Sequence, residues 1–165
     1  MVTEKPTWLP PVISADGNWS EVLISLYKIF ETDIKYSNLT YEDKPIWWDK
    51  RVLEEDGYEE GFWHLITRIE YPTKARLFDP RRAERLPWFN PIIKNTMDDL
   101  IKIWDYKESN KKIRTYVWFE NGDYVIILHK RKFHIGTVAF LVTAFYVDGD
   151  SKKRNLRKKF KNRMI

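Results

Sequence analysis

The dipeptide Asn121-Gly122 lies between two strand-like runs, IRTYVWFE and DYVIILHK. Asn-Gly favours a two-residue type I′ turn because both residues readily adopt a positive φ angle. The chain is therefore predicted to form a β-hairpin in which Glu120 pairs with Asp123. The same register, continued along both strands, places Arg114 opposite His129.

The two faces of this hairpin differ in composition. One face is more uniformly apolar, and we expect it to receive the helices; it comprises Ile113, Thr115, Val117, Phe119, Tyr124, Ile126 and Leu128. The other face combines aromatic rings with charge and comprises Arg114, Tyr116, Trp118, Val125, Ile127 and His129. That composition is typical of a sheet that binds RNA by stacking and charge. It is equally typical of a partly buried face whose polar pair lies at the strand ends.

The remaining pattern indicates helices before the hairpin and one strand after it. The run GTVAFLVTAFYV predicts a long central strand that is buried on both faces. Helical periodicity and start signals predict helices over residues 19–31 and 59–70, from Asp79-Pro80, and from Asn90-Pro91 to about residue 106. A short strand is predicted over residues 34–39, and mostly loop over 40–58. These elements predict an α+β fold, with N-terminal helices packed on one face of a small antiparallel C-terminal sheet.

Charge is distributed unevenly along the chain. The net charge is +5, yet residues 1–60 carry an excess of acidic residues, and residues 151–165 hold eight Lys and Arg and no acid. We expect residues 1–150 to form one domain with an irregular lead-in over residues 1–17. Residues 151–165 are expected to form a basic C-terminal tail, either helical or disordered. A basic C-terminal portion favours an anionic partner.

Several classes of protein are excluded by what the sequence lacks. Without cysteine, the chain has no disulfide, no thiolate nucleophile and no cysteine-ligated zinc. It has no phosphate-binding loop, no nucleophile elbow and no HExxH pattern, so we expect neither a metal site nor a cofactor. No apolar run reaches membrane-spanning length and the start has no apolar signal segment, so we expect a cytoplasmic protein without membrane contact.

The run GFWHLITR places His64, one of three histidines, in a mostly apolar segment. On a helix, Glu60, His64 and Arg68 are each four residues apart and form one polar stripe beside the apolar side. His64 is therefore either a structural residue at the border of the core or a group that transfers protons.

Cleavage of RNA without a metal ion needs a base for the 2′-hydroxyl, an acid for the leaving oxygen and cations for the phosphate. Histidine suits the first two roles because its pKa lies near neutrality, and arginine suits the third. His64 and His129 are the candidate proton-transfer groups. The candidate RNA-binding residues are basic or aromatic: Arg81, Arg82, Arg85, Arg114, Tyr116, Trp118, Lys130, Lys152, Lys153, Arg154 and Arg157. Each also has an ordinary explanation, such as a solvated helix face for the three arginines after Pro80.

The motif GFWHLITR and a last strand that reads FLVTAFY resemble the barnase–EndoU–colicin–RelE (BECR-fold) group of ribonucleases, in its phage and bacterial toxin branches. The resemblance covers about residues 19–147. It implies a helix-plus-sheet fold and metal-independent cleavage of RNA, often tRNA or ribosome-bound mRNA. By motif position, it implies that His64 is the general base or acid and that Arg68 is the basic residue after it. It also implies that Thr143 and Tyr146 contact the phosphate.

We therefore expect a metal-independent endoribonuclease of the toxin or phage-defence type, acting by 2′-hydroxyl attack, with a protein antitoxin or inhibitor as a second partner. Its candidate catalytic set is His64, Arg68, His129, Thr143 and Tyr146. One alternative is a non-catalytic RNA- or ribosome-binding module, for which the basic tail and the aromatic sheet face suffice. The other is an antitoxin or protein-interaction factor whose acidic N-terminal third binds a basic partner.

Overall fold

A computed structural model describes residues 5–53 and 55–165, so the first four residues of the predicted lead-in lie outside the described residues. The α-helices in this part are α1 (Trp19–Phe30), α2 (Glu60–Ile66), α3 (Pro80–Glu84), α4 (Phe89–Lys94) and α5 (Asp150–Lys161). The strands are β1 (Thr40–Tyr41), β2 (Lys44–Trp47), β3 (Thr67–Glu70), β4 (Ala75–Phe78), β5 (Ile101–Lys107), β6 (Ile113–Phe119), β7 (Tyr124–Phe133) and β8 (Gly136–Tyr146).

Six strands form the main sheet in the order β1-β2-β8-β7-β6-β5, and β3 pairs with β4 in a separate hairpin. Neighbouring strands of the main sheet are antiparallel, except that β2 is parallel to β8. The α+β class is therefore as predicted, with helices in the N-terminal part. The sheet itself is mixed rather than antiparallel, because the N-terminal part contributes β1 and β2. The predicted central position of β8 is confirmed.

The hairpin of β6 and β7 forms in the predicted register. Phe119 pairs with Tyr124, and the pairing continues to Thr115 and Leu128. The connection differs from the predicted two-residue turn, because Glu120–Gly122 form a 3₁₀ turn. The register is unaffected, since the longer loop still leaves Phe119 opposite Tyr124.

The first helix is confirmed, but the strand predicted after it is wrong. Asn18 caps the N-terminus of α1, and its side-chain oxygen accepts a hydrogen bond from the backbone N–H of Glu21 at 3.3 Å. The chain then continues as a π-helical turn over Glu31–Lys35 in place of the strand predicted from residue 34. The segment from residue 40 to 58, predicted as mostly loop, contributes the two short strands β1 and β2.

The helix predicted over residues 59–70 ends early. Thr67 leaves the helical conformation with φ −128° and ψ 163°, and it starts β3, which pairs with β4. The predicted polar stripe is therefore wrong for Arg68, which lies on a strand, whereas Glu60 and His64 share α2.

The helix predicted from Asn90-Pro91 to residue 106 is also too long. It begins at Phe89 and ends at Lys94, and the run IKIWDYK forms β5 at one edge of the sheet. Ile101 and Trp104 are three residues apart and both buried, which fits a helix, but β5 pairs with β6 along its whole length.

The main core lies between one sheet face and the helices α1, α2 and α4. The sheet contributes Val117, Phe119, Tyr124, Ile126 and Leu128, each no more than 1% exposed. This is the face that the sequence predicts to receive helices, and the prediction is confirmed.

The opposite face is covered by α5. Leu156 is buried and Phe160 packs beside it, both against a cluster that includes Trp104, Tyr116 and Trp118. The rings of Trp104 and Tyr116 are stacked with centroids 5.0 Å apart. The basic C-terminal segment is thus a folded helix that protects apolar surface. Within the described residues, no helix is both long enough and apolar enough to span a bilayer.

Candidate functional site

The candidate site lies along one edge of β8. β2 pairs with β8 only at Ile46–Ala139 and Trp47–Phe140, in the first half of β8. Both α2 and α3 also contact β8, and Arg82 of α3 reaches Thr143 in the second half of the strand. Since a helix is about 10 Å wide and paired strands are about 4.8 Å apart, helices close this edge less completely than a strand would. A cleft remains there.

We call this space the arginine cleft. It has a volume of about 700 Å³ and is lined by Arg68, Ile69, Asp79, Pro80, Arg81, Arg82, Glu84, Phe145, Tyr146, Asp148 and Lys152. The lining brings together residues of β3, α3, β8 and α5 that are far apart in the sequence. The lining includes four basic side chains, three acidic side chains and one phenol. Its excess of positive charge suits an anionic ligand, and its acidic and phenol groups can form hydrogen bonds with polar groups of that ligand.

Arg82 is the most buried cation of the cleft. Its Nη1 donates to the carbonyl oxygens of Thr67 at 2.6 Å and His64 at 3.2 Å, which lie at the C-terminal end of α2. Carbonyls at this end have no partner inside the helix, and a cation there also interacts favourably with the helix dipole. Arg82 therefore caps α2 and fixes it beside α3.

Asp79, Phe145 and Thr143 surround the rest of the Arg82 guanidinium. Nε lies 3.5 Å from Oδ2 of Asp79, an ion-pair contact, and the guanidinium carbon lies 5.3 Å from the Phe145 ring centroid. Nη1 is also 3.5 Å from Oγ1 of Thr143. Burial lowers the pKa of Arg82, and the Asp79 carboxylate opposes this effect. Arg82 thus joins α2, α3 and β8 at the base of the cleft.

Tyr146 lies against two arginines of the α3 region. The guanidinium carbons of Arg81 and Arg85 are 5.1 and 4.4 Å from its ring centroid. Arg85 is 17% exposed and also lies over Trp88, whereas Arg81 is 55% exposed and forms an ion pair with Asp148 at 3.1 Å. Arg81 is therefore accessible to a ligand, and Arg85 supports the ring.

Two further cations of the cleft are accessible. Arg68 projects from β3 with 46% of its side chain exposed, and its Nη1 is 4.0 Å from Oδ2 of Asp79. Lys152, in the first turn of α5, is exposed. Arg68, Lys152 and Arg81 can each approach an anion without breaking a buried hydrogen bond. A smaller pocket of about 260 Å³ continues between α5 and the sheet, sharing Arg82, Phe145 and Lys152 with the cleft.

His64 reaches the cleft only through its backbone carbonyl, which accepts from Arg82, and its side chain is not part of the lining. Its ring is half-buried, and Nδ1 is buried without a hydrogen-bond partner, so a substrate can reach only the other edge of the ring. Burial lowers the pKa of His64; nearby Arg76 lowers it further, and Glu60 and Asp49 raise it. The ring is therefore neutral at pH 7, as a general base must be.

His129 belongs to a different site. It lines a pocket of about 480 Å³ with Asp105, Lys111, Lys112, Ile113, Thr115 and Lys130. Burial lowers the pKa of His129, and the neighbouring cations Arg114, Arg131 and Lys112 add to the effect. Lys130 lies 3.6 Å from Glu42 and 3.7 Å from Asp105. The structure thus separates His129, Arg114 and Lys130 from the arginine cleft.

The remaining predicted RNA-binding residues are mostly engaged within the fold. Tyr116 and Trp118 are 2% and 0% exposed under α5, so in this conformation neither ring can stack on a base. Lys153 pairs with Asp123 at 3.1 Å, and Arg157 pairs with Glu120 at 3.2 Å. Arg154 is exposed on α5.

Sequence reasoning missed the acidic and aromatic partners of the cleft. The sequence indicates Asp79 only as a helix start. In the structure it caps α3, accepting from the backbone N–H groups of Arg81 and Arg82, and it also contacts two arginine side chains. In the sequence, Phe145 is one more apolar residue of a strand. Asp148, just after β8, carried no signal, because its partner Arg81 is distant in the sequence.

The fold and site together define an α+β protein with a basic cleft beside the half of β8 that does not pair with β2 in a mixed sheet. Comparison with known proteins gives no match, whether to a protein family, a curated protein or a solved structure. Among residues 5–53 and 55–165, no group of three or more His, Asp or Glu side chains is arranged to hold a metal ion.

Proposed function

We propose that the chain acts on RNA at the arginine cleft, as a metal-independent endoribonuclease. The observation that carries this proposal is the convergence of Arg68, Arg81 and Lys152 on one cleft beside Tyr146. Phosphodiesters are bound by arginine forks, lysine ammonium groups and hydroxyl donors, and the cleft offers all three. tRNA and ribosome-associated RNA are the substrates to test first.

The roles follow from position and protonation. His64, neutral at pH 7, takes the proton of the 2′-hydroxyl as general base, using the ring edge opposite Nδ1. The 2′-oxygen forms a bond to phosphorus, the bond between phosphorus and the 5′-oxygen breaks, and the leaving oxygen takes a proton from water, which gives a 2′,3′-cyclic phosphate and a 5′-hydroxyl. Arg68 and Arg81 stabilise the negative charge that accumulates on the phosphate. Thr143, held by Arg82 at 3.5 Å, and the phenol of Tyr146 contact the phosphate oxygens. Of the five catalytic candidates, Arg68 and Tyr146 line the cleft, while Thr143 and the backbone carbonyl of His64 contact Arg82 at its base. His129 takes no part.

A second candidate function is RNA binding without cleavage, and one observation favours it. The His64 ring is outside the lining of the cleft. The charged groups that affect the pKa of His64 most are Arg76, Glu60 and Asp49, and none of them lines the cleft. Binding alone needs only cations and accessible rings, not a base within reach of the 2′-hydroxyl.

One experiment separates the two functions. Purified full-length chain is incubated with total RNA, including tRNA, in the presence of EDTA, alongside His64→Gln. We expect discrete fragments from the wild type and a loss of roughly 100-fold or more in His64→Gln, because a general base contributes about 10²–10⁴-fold. Tyr36→Ala is the control, since Tyr36 is 67% exposed and outside the cleft.

Each other outcome has a definite meaning. Intact RNA that nevertheless shifts on a native gel would support the binding function and reject catalysis. Cleavage that is equal in His64→Gln and the wild type would remove His64 from the mechanism. RNA that is neither cut nor shifted would reject both functions.

A further inference from the structure

A second surface of the same sheet combines aromatic rings with cations. We call it the aromatic patch: Trp47 of β2, Phe133 of β7 and Phe140 of β8, with Lys50 and Arg131 beside them. These residues line a shallow pocket of about 320 Å³ together with Trp48, Asp49 and Arg51. None of the three rings belongs to the main core or to the cluster under α5. The patch therefore lies outside both hydrophobic clusters.

The rings form a continuous aromatic surface across three strands. The Trp47 and Phe133 centroids are 6.1 Å apart with an angle of 39° between the planes. Phe133 and Phe140 are 6.5 Å apart and nearly parallel, at 25°. All three rings are half-buried, so each retains surface that solvent can reach.

The cations lie over these rings. Lys50 Nζ is 3.5 Å from the Trp47 ring centroid, and the Arg131 guanidinium carbon is 4.7 Å from the Phe140 centroid and 5.1 Å from that of Phe133. Arg131 is exposed, so the outer side of its guanidinium is open to a further planar group. The one acid of the pocket, Asp49, pairs with Arg51 at 2.6 Å. The patch therefore presents excess positive charge next to aromatic surface.

A β-bulge places this patch on the same sheet face as part of the arginine cleft. Phe140 pairs with His129, and Thr143 pairs with Ile127, because the register shifts by one residue between Ile127 and Leu128. His129 and Ile127 lie on one face of β7, so Phe140 and Thr143 share that face despite their odd spacing. Phe145, which lines the cleft, follows Thr143 on the same face.

The separation suits a short stretch of one nucleic-acid strand. Phe140 and Phe145 are five residues apart on β8, and a strand rises about 3.3 Å per residue, so the two surfaces are roughly 15–20 Å apart along the sheet. Lys50 and Arg131 at one end, and Arg81 and Lys152 at the other, attract a continuous phosphate backbone.

We propose that the aromatic patch binds unpaired bases of the RNA whose backbone occupies the arginine cleft. The inference rests on the proposed function and adds to it a subsite for single-stranded RNA. Bases stack on aromatic rings and on guanidinium planes, and only unpaired bases expose their faces to do so. The patch therefore selects single-stranded over double-stranded RNA. Because stacking does not involve hydrogen bonds to base edges, the patch is tolerant of sequence.

The test measures binding of a fluorescent 2′-O-methyl oligoribonucleotide, which cannot undergo 2′-hydroxyl attack, and of an abasic oligomer of the same length. Phe133→Ala removes the central ring, and Phe133→Trp restores a ring there. Arg81→Ala changes the cleft, and Tyr36→Ala removes an exposed ring that also has a lysine, Lys35, 5.5 Å from its centroid. Thermal unfolding checks that each variant is folded.

We expect Phe133→Ala to weaken binding of the oligoribonucleotide roughly 5- to 100-fold, since stacking on one aromatic ring has an effect of this order. Phe133→Trp should bind as the wild type does, and the abasic oligomer should bind wild type and Phe133→Ala equally. If Phe133→Ala binds as tightly as Tyr36→Ala while Arg81→Ala is weakened, the patch is rejected and the cleft stands. If Phe133→Ala binds the oligoribonucleotide more weakly and Arg81→Ala does not, the arginine cleft is rejected as the site of the RNA backbone, and the aromatic patch is retained as a binding surface for bases. No binding to the wild type rejects both.

Discussion

Arg82 donates a hydrogen bond from Nη1 to the carbonyl oxygen of Thr67 at 2.6 Å, and this contact joins α3 to the residue at which α2 ends. Truncating Arg82 leaves that carbonyl and the carbonyl of His64 without this donor, and leaves Asp79 without its closest arginine. We expect Arg82→Ala to lower the free energy of unfolding by about 2–4 kcal/mol, from lost charged hydrogen bonds and a partly buried ion pair. Urea denaturation measures the difference.

Arg81→Ala is the matched control for this prediction. Arg81 is the preceding residue of the same type, and its side chain and that of its partner Asp148 are 55% and 66% exposed. An exposed ion pair contributes at most about 1 kcal/mol. Equal losses in the two variants would contradict the role of Arg82 as the cap of α2.

Stability should fall as the pH drops below neutrality, because burial lowers the pKa values of His64 and His129 in the folded state. The unfolded chain, with histidine pKa values near 6.5, then binds more protons than the folded chain. The stability contributed by these neutral rings is complete above about pH 6.5 and is lost as pH falls toward the folded-state pKa values.

Replacement of the rings tests this directly. The fall in melting temperature between pH 7.5 and 5 should be smaller in His64→Gln and smallest in the double variant with His129→Gln. His134→Gln is the control, because His134 is exposed in the turn after β7. An unchanged pH profile in the double variant would show that carboxylates, and not these histidines, control the acid sensitivity.

Local sequence patterns predict the hairpin well and the lengths of two helices badly, for physical reasons. The register of β6 and β7 depends on neighbouring residues alone, so its signal is in the sequence. The end of α2 depends on Thr67–Glu70 pairing with β4, and the strand character of Ile101–Lys107 depends on pairing with β6. A strand's partner lies outside the ten or so residues from which a helix is predicted, so the sequence of that segment does not show the pairing. Where the helical periodicity is weak, the tertiary contacts decide the conformation.

The sequence singles out several basic and phenolic residues of the cleft as candidates, but it does not single out their acidic and aromatic partners. Arg68, Arg81, Arg82, Tyr146 and Lys152 do converge, although only a three-dimensional fold can show that Tyr116 and Trp118 are covered. One signal for this cover was present: Leu156 and Phe160 are four residues apart in an otherwise charged helix, the spacing of an apolar stripe.

The docking of α5 should contribute measurably to stability. Leu156 is 6% exposed against the aromatic cluster, and truncating a buried leucine costs about 2–5 kcal/mol, so we expect Leu156→Ala to cost at least about 2 kcal/mol. Arg154→Ala, an exposed neighbour on the same helix, should change stability by less than about 0.5 kcal/mol. Urea denaturation followed by tryptophan fluorescence compares them. A loss in Leu156→Ala no larger than in Arg154→Ala would mean that α5 is a dispensable tail.

The salt dependence of RNA binding should distinguish two adjacent lysines of α5. Lys152 is exposed at the arginine cleft, whereas Lys153 forms an ion pair with Asp123 at 3.1 Å. A lysine that contacts a phosphate releases a counterion, so Lys152→Ala should reduce the slope of log affinity against log salt concentration by about 0.7 for a single strand. Lys153→Ala should leave the slope unchanged, because its ammonium already has a carboxylate partner. Fluorescence anisotropy with the 2′-O-methyl oligomer over a range of KCl concentrations gives both slopes, and equal slopes for the two variants would exclude Lys152 as a phosphate contact.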